Sequence, residues 1–347
     1  MIFSSFALFY TRSMFENTDF NALFEQFRNQ KVLVIGDVMI DTYLWGNVGR
    51  VSPEAPVPIV SGVIEENRLG GAANVALNVK AMGAVPILCS VIGGDDRGRL
   101  FLELMEEQTL SDIGLVVDEE RVTTQKTRVI SGNQHLLRVD EEIDLFLTKR
   151  IQKELLELIR NLLESGGIDA MILQDYDKGV LSPSVIEELV RESEKVSVPV
   201  LVDPKFRSFH LYRKVRLFKP NFKELKVGLN NEFSKNDIAA MAKAITDFQE
   251  RQEIDTFLVT LSNQGILASQ NGNIVHIPAI TRDIADVSGA GDTVISVAAL
   301  CIIAGLDTAE TAAISNLAGG QVCEKAGVVP VDAGKLLAEC LHHFQGA

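Results

Sequence analysis

DAMILQDYDKGVLSPSVIEELVRESEKVSVPVLVD (169–203) decides the fold. DAMILQ and VPVLVD are unbroken apolar runs, as expected of strands covered on both faces. Between them Ser182-Pro183 opens a helical pattern over 183–195, a capping residue followed by proline in the first turn. Strand, helix, strand within 35 positions predicts a parallel pair with a crossover helix. The same alternation extends in both directions. KVLVI (31–35), PILCSVI (86–92) and DTFLVT (255–260) predict strands, and 72–82, 97–107, 148–164 and 235–250 predict helices. The fold class is α/β, with a mostly parallel sheet between helical layers.

Two pieces break the rhythm. KTRVIS-GN-QHLLRV (126–139) reads as a hairpin turning at Gly132-Asn133. TYLWGNVGRVSPEAPVPIVSG (42–62) carries too much proline and glycine for a long helix. Together they predict a small β-structure outside the main sheet, either a lid or plain surface hairpins.

Bulk composition narrows the function. Of 347 residues, 46% are hydrophobic and 23% charged, enough for a sizeable core in one large domain or two. The formal charge of −14 argues against nucleic-acid or membrane-surface binding, which relies on clustered Lys and Arg. Four scattered cysteines without a C-x-x-C pair predict neither a disulfide framework nor structural zinc. MIFSSFALFYTRS (1–13) lacks the basic start and cleavage site of a signal peptide, and Met14 is an alternative start. The expectation is a cytoplasmic protein with residues 1–30 as a peripheral extension and one domain over 31–345.

In parallel sheets, ligands gather beyond the carboxyl ends of the strands. Asp37, Asp41, Asp175, Asp177, Lys178, Asp203, Lys205, Asn221 and Thr260 all fall at such ends. In KPNFKEL (219–225), Asn221 and Glu224 have capping-box spacing, which also suits a hydrated magnesium ion beside nucleotide phosphates. In LGGAANVALNVKAMGA (69–84), glycines open an amphipathic helix, either for a tight turn alone or for close approach of backbone and Asn74 to a polyhydroxylated ligand. DVSGAGDTV (286–294) puts Gly289, Ala290 and Gly291 ahead of Asp292 and an apolar run too short to span a membrane. Such a helix start offers unpaired N–H groups to an anion, while Asp292 serves either as a cap or as a chemical group. Walker-type, nucleophile-elbow and metal-spaced histidine patterns are absent. Phosphoryl transfer fits what remains, with a carboxylate to take a hydroxyl proton.

LGGAANVALNVKAMGA and DVSGAGDTV resemble, in order and spacing, the two signature segments of the ribokinase-like (PfkB) sugar kinases, over roughly residues 30–340. The resemblance implies a three-layer sandwich with a β-lid at about 42–65 and 121–142, often used for dimerisation. It implies Asp292 as catalytic base, an anion hole from Gly289, Ala290 and Gly291, and Mg²⁺ held near Glu224 through water. Nucleotide contacts are implied at Asn221, Thr260, Gly265 and Asn316. The implied cofactors are ATP and Mg²⁺, with room for a monovalent cation. LAGGQVCEKAG (317–327) departs from the alanine-rich helix of the family.

GRVSPEAPVPIV (49–60), NQHLLRVDEE (133–142), DYDKGVL (175–181) and VLVDPK (200–205) resemble the heptose-7-phosphate kinase branch. That narrower resemblance implies transfer to the C1 hydroxyl of D-glycero-D-manno-heptose 7-phosphate, in the ADP-heptose route to lipopolysaccharide. With no H-x-G-H-like motif in the chain, only the kinase step is expected. Arg138, Lys178 and Lys205 are candidate phosphate cations; Asp41, Gly71 and Asn74 are candidates for sugar hydroxyls. Competing readings are a family kinase for fructose, ribose, adenosine or a hexose phosphate, and a non-catalytic sugar or nucleotide sensor.

Overall fold

A computed structural model describes residues 14–132 and 134–346. Its main sheet has nine strands in the order β13-β12-β11-β10-β9-β8-β1-β4-β5. These are β1 Lys31–Gly36, β4 Val85–Gly93, β5 Gly114–Asp118, β8 Ala170–Gln174, β9 Val200–Asp203, β10 Leu217–Phe218, β11 Thr256–Thr260, β12 Ile266–Gln270 and β13 Asn273–Ile277. From β5 to β11 every pairing is parallel, and β12 and β13 continue antiparallel.

Continuous hydrophobicity in the strands reflects two helical layers. In β1, Val32 and Val34 join one core with helices Ala72–Ala81, Asp96–Glu107, Ala290–Ile303 and Thr308–Val322. Leu33 and Ile35 join the opposite core with helices Lys149–Glu164, Pro183–Val196 and Ile238–Gln252. Successive side chains leave a strand on opposite faces, so a strand with helices on both sides must be apolar throughout. Ser182 caps the helix 183–196 by accepting from Val185 N–H, with Pro183 in its first turn.

Residues 14–30 depart from the expectation of a peripheral extension. Phe20, Leu23, Phe24 and Phe27 form the buried stripe of helix Phe20–Phe27. Phe15 is fully buried and stacks on Phe344, ring centroids 4.4 Å apart. Spacings of three, four and seven put these aromatic groups on one helix face, and burying it ties the segment to the C-terminal residues. The reading of residues 1–13 lies outside the described residues, as does Asn133 of the hairpin signal.

The irregular pieces form a second sheet, β3-β2-β6-β7, from β2 Val38–Val51, β3 Pro58–Gly71, β6 Gln125–Ser131 and β7 Gln134–Glu141. β6 and β7 pair antiparallel around Gly132, whose φ of 56° suits a tight turn. β2 pairs parallel to β6 and antiparallel to β3, and β3 runs directly into helix 72–81. The second sheet therefore stands over the carboxyl ends of β1 and β8.

Candidate active site

Helix 290–303 begins at Gly289, whose φ of +79° a side chain would strain. Ala290 N–H reaches the Val287 carbonyl at 3.4 Å, and Thr293 N–H reaches Gly289 at 3.0 Å. Between them, the amides of Gly291 and Asp292 have no main-chain acceptor among the described residues. They open into a cavity of about 840 Å³ whose lining includes Gly289, Ala290, Gly291 and Asp292. A terminus with free N–H groups and the positive end of the helix dipole suits phosphate.

Asp292 is not a cap. Its carboxylate turns from the helix amides and accepts from three side chains: Asn74 Nδ2 at 2.7 Å on Oδ2, and Tyr176 Oη at 2.7 Å and Gln174 Nε2 at 3.2 Å on Oδ1. It is 3% exposed. Burial pushes its pKa up to about 6, opposed by the hydrogen bonds from Asn74 and Tyr176. A carboxylate held near neutrality at an anion site has the properties of a general base.

Beneath Gly291 lies a buried ion pair, Lys219 Nζ to Asp203 Oδ2 at 2.9 Å. A Cβ on Gly291 would sit 3.5 Å from Lys219 Nζ. The Lys219 ammonium therefore approaches the same space as the free amides. Asn221 and Glu224 form a complete capping box, Glu224 N–H to Asn221 Oδ1 at 2.9 Å and Asn221 N–H to Glu224 Oε2 at 2.8 Å. The other Glu224 oxygen pairs with Lys205. The candidate nucleotide residues Asn221, Glu224, Thr260, Gly265 and Asn316 all line the cavity, and so does Lys205, a candidate phosphate cation. Arg282 lines it as well, clamped by Glu324 and Glu339. Gly320, within the atypical LAGGQVCEKAG segment, leaves space for it, since a Cβ there would lie 2.9 Å from Arg282 Nε.

The candidate acceptor-side residues come together less completely. Asn74 meets Asp292 rather than open space. Gly71, with φ +62°, lets β3 turn into the helix, and a Cβ would collide with the Asp37 carbonyl. Asp41 pairs with Arg128 at 2.5 Å. Arg138 pairs with Asp140, and Lys178 with Glu142 at 2.8 Å; neither lines the cavity. Asp37 accepts from the amides of Tyr176, Lys178 and Val180, so it shapes the loop after β8.

Sequence reasoning missed Gln174, Tyr176, Lys219, Lys126 and Arg128. All five lie inside segments quoted above (DAMILQ, DYDKGVL, KPNFKEL and KTRVIS), but no local pattern shows which side chain reaches the site. Lys126 makes no ion pair among the described residues, and its Nζ lies 5.6 Å from the Tyr176 ring centroid. Burial lowers its pKa, while Glu142, Arg138, Asp41 and Lys178 also act on it, so these groups share one region.

A ribokinase-like three-layer fold with a glycine-lined helix start and a poised aspartate defines the class. The sequence profile of pfkB family carbohydrate kinases matches residues 29–333, and the chain belongs to that family. Among curated relatives, it is 37% identical over 328 residues to the "Bifunctional protein HldE" of Geotalea uraniireducens (strain Rf4), covering 94% of this chain and 66% of the relative. It is 38% identical over 298 residues to the protein of that name from Helicobacter pylori (strain J99 / ATCC 700824), covering 86% and 64%. The chain thus spans just under two thirds of these relatives. Among solved structures, phosphofructokinase-2 from Escherichia coli with substrates and products superposes with a TM-score of 0.73 at 18% identity, covering 90% of this chain and 99% of that one. Ribokinase from Arabidopsis thaliana with ribose and ATP gives 0.67 at 17% identity, covering 89% and 98%. These two likenesses concern the fold.

Proposed function

We propose that the chain is an ATP-dependent sugar kinase acting on the C1 hydroxyl of D-glycero-D-manno-heptose 7-phosphate. The observation that carries the kinase reading is Asp292, buried with a raised pKa beside free helix-terminal amides. In this reading Asp292 accepts the sugar hydroxyl's proton while the free amides of Gly291 and Asp292 and the Lys219 ammonium stabilise charge on the transferred phosphoryl group, the Ala290 amide of the expected hole being taken by Val287. ATP is the second substrate, and the 840 Å³ cavity has the size for it.

The residues also fit magnesium of the kind that keeps most of its water. No cluster of three or more ligating side chains occurs among the described residues, and Glu224 is already held by Asn221 and Lys205. Glu224 would hold the ion through water, where bound Mg²⁺ neutralises phosphate charge.

The heptose phosphate reading rests on the four segments resembling that branch and on the cation group Lys126, Arg138, Lys178 and Lys205. Lys126, without an ion pair among the described residues, is the member most available to an anion. The second sheet would act as a lid, and its exposed Val63, Leu137 and Val139 support a homodimer through it, which the mass in solution tests. No helix among the described residues is long and apolar enough to cross a membrane. ADP release should be fast with heptose 7-phosphate and at least tenfold slower with fructose, ribose, adenosine and hexose phosphates. Equal or greater activity with one of those would reassign the substrate.

A further inference from the structure

An ionised carboxylate offers about four lone-pair positions. At Asp292 three are filled. Tyr176 and Gln174 occupy Oδ1, and Asn74 occupies one position on Oδ2. Gln174 is a poor candidate for fixing the geometry, because its bond is the longest of the three and its own Oε1 is buried without a partner. Tyr176 is better anchored. Its amide donates to Asp37 Oδ2 at 2.9 Å, and Lys126 and Lys205 lie over its ring at 5.6 and 5.2 Å from the centroid.

We infer that Tyr176 is a positioning residue for Asp292: its hydroxyl closes Oδ1 and leaves one lone pair, on Oδ2, to receive the acceptor alcohol's proton. This rests on the reading of Asp292 as the base. In the transfer, the sugar O–H proton passes to Oδ2 and the sugar oxygen bonds the γ-phosphorus. The phosphorus–oxygen bond to ADP breaks, and Tyr176 keeps its proton. Burial and the Asp292 charge hold the phenol well above its ordinary pKa, so it remains a donor. The charged groups around the pair are Asp203 and Lys219, Lys205 after β9, Asp41 on β2 and Lys126 on β6. A hydrogen bond to the charged form favours that form. Removing the phenol oxygen therefore protonates Asp292 at higher pH.

Tyr176→Phe keeps the ring and removes only this donor. Two readouts test it. Carbon-13 NMR of labelled aspartate carboxyls, with Asp292→Asn identifying the resonance, should show the Asp292 midpoint rising by about one unit. The acid limb of kcat/KM should move up equally, with a roughly fivefold loss at pH 6 that shrinks by pH 8.5 and an unchanged KM for ATP. An unmoved carboxyl midpoint, or a loss of activity equal at all pH values, overturns the inference. Should wild-type protein fail to turn over heptose 7-phosphate, the substrate reading falls and the NMR titration still decides the role of Tyr176.

Discussion

Asp292 shows how one residue acquires a chemical character that its type lacks. In water an aspartate near pKa 4 is a weak base. Here burial raises it to about 6, while Asn74 and Tyr176 keep it from rising further. The base must be ionised to act, so kcat/KM should climb as pH rises through about 6 and then level. Asp292→Asn keeps the size but loses the proton acceptor, and turnover should fall by ~100- to 10,000-fold with ATP binding preserved. Steady-state kinetics and ATP titration check both halves; near-normal turnover in that variant would remove Asp292 from the chemistry. Gly291 shows permissive packing beside the same helix start. A Cβ there would meet no backbone, only Lys219 and Asp203 at ordinary contact distance, so the fold does not need the glycine there.

At the scale of elements, the second sheet is held over the site by buried charge. Arg128 on β6 and Asp41 on β2 pair across adjacent strands, with side chains 11% and 4% exposed. Arg128 and Arg68 also flank the Tyr43 ring at 5.4 and 5.0 Å. Breaking a buried pair from one side strands the other charge, which costs about 3 kcal/mol or more. Arg128→Met should speed amide hydrogen exchange in β2 and β6, with the nine-stranded sheet unaffected. Adding Asp41→Asn should restore much of the protection, because no unpaired charge remains. Exchange unchanged in the single variant would show that the pair does not hold the sheet. The capping box at 221–224 works similarly for the cavity: one pair of hydrogen bonds ends β10's connection, starts a helix and fixes Glu224.

At the scale of the whole molecule, the carboxyl ends of β1 and β8 gather two buried acids, Asp37 and Asp175, beside Tyr212. Burial first, and then Asp37, raises Asp175 from 3.8 to about 7. A carboxyl whose folded pKa is raised adds stability that is complete below its unfolded pKa and is lost as pH rises through the folded value. Wild-type stability should therefore fall by a few kcal/mol between about pH 4 and 8 on this account. Asp175→Asn removes the titration, so its Tm advantage should widen from pH 5 to pH 8; a constant Tm difference would contradict this origin. Local pattern made much of the architecture readable in advance. Apolar runs located β1, β4, β8, β9 and β11, Ser182-Pro183 located a helix start, and the glycines of GAGD located the start of helix 290–303, because periodicity, capping and turn chemistry act over a few residues. The antiparallel β12–β13 edge carried too little pattern to be seen, and β10, with two residues, was marked only by Asn221 at its end. The buried Phe15–Phe344 contact, Lys219 beneath Gly291 and the Tyr176 hydroxyl on Asp292 were decided only by the tertiary structure. Each joins residues far apart in the chain, and no local preference specifies which distant side chain fills a pocket or a lone pair.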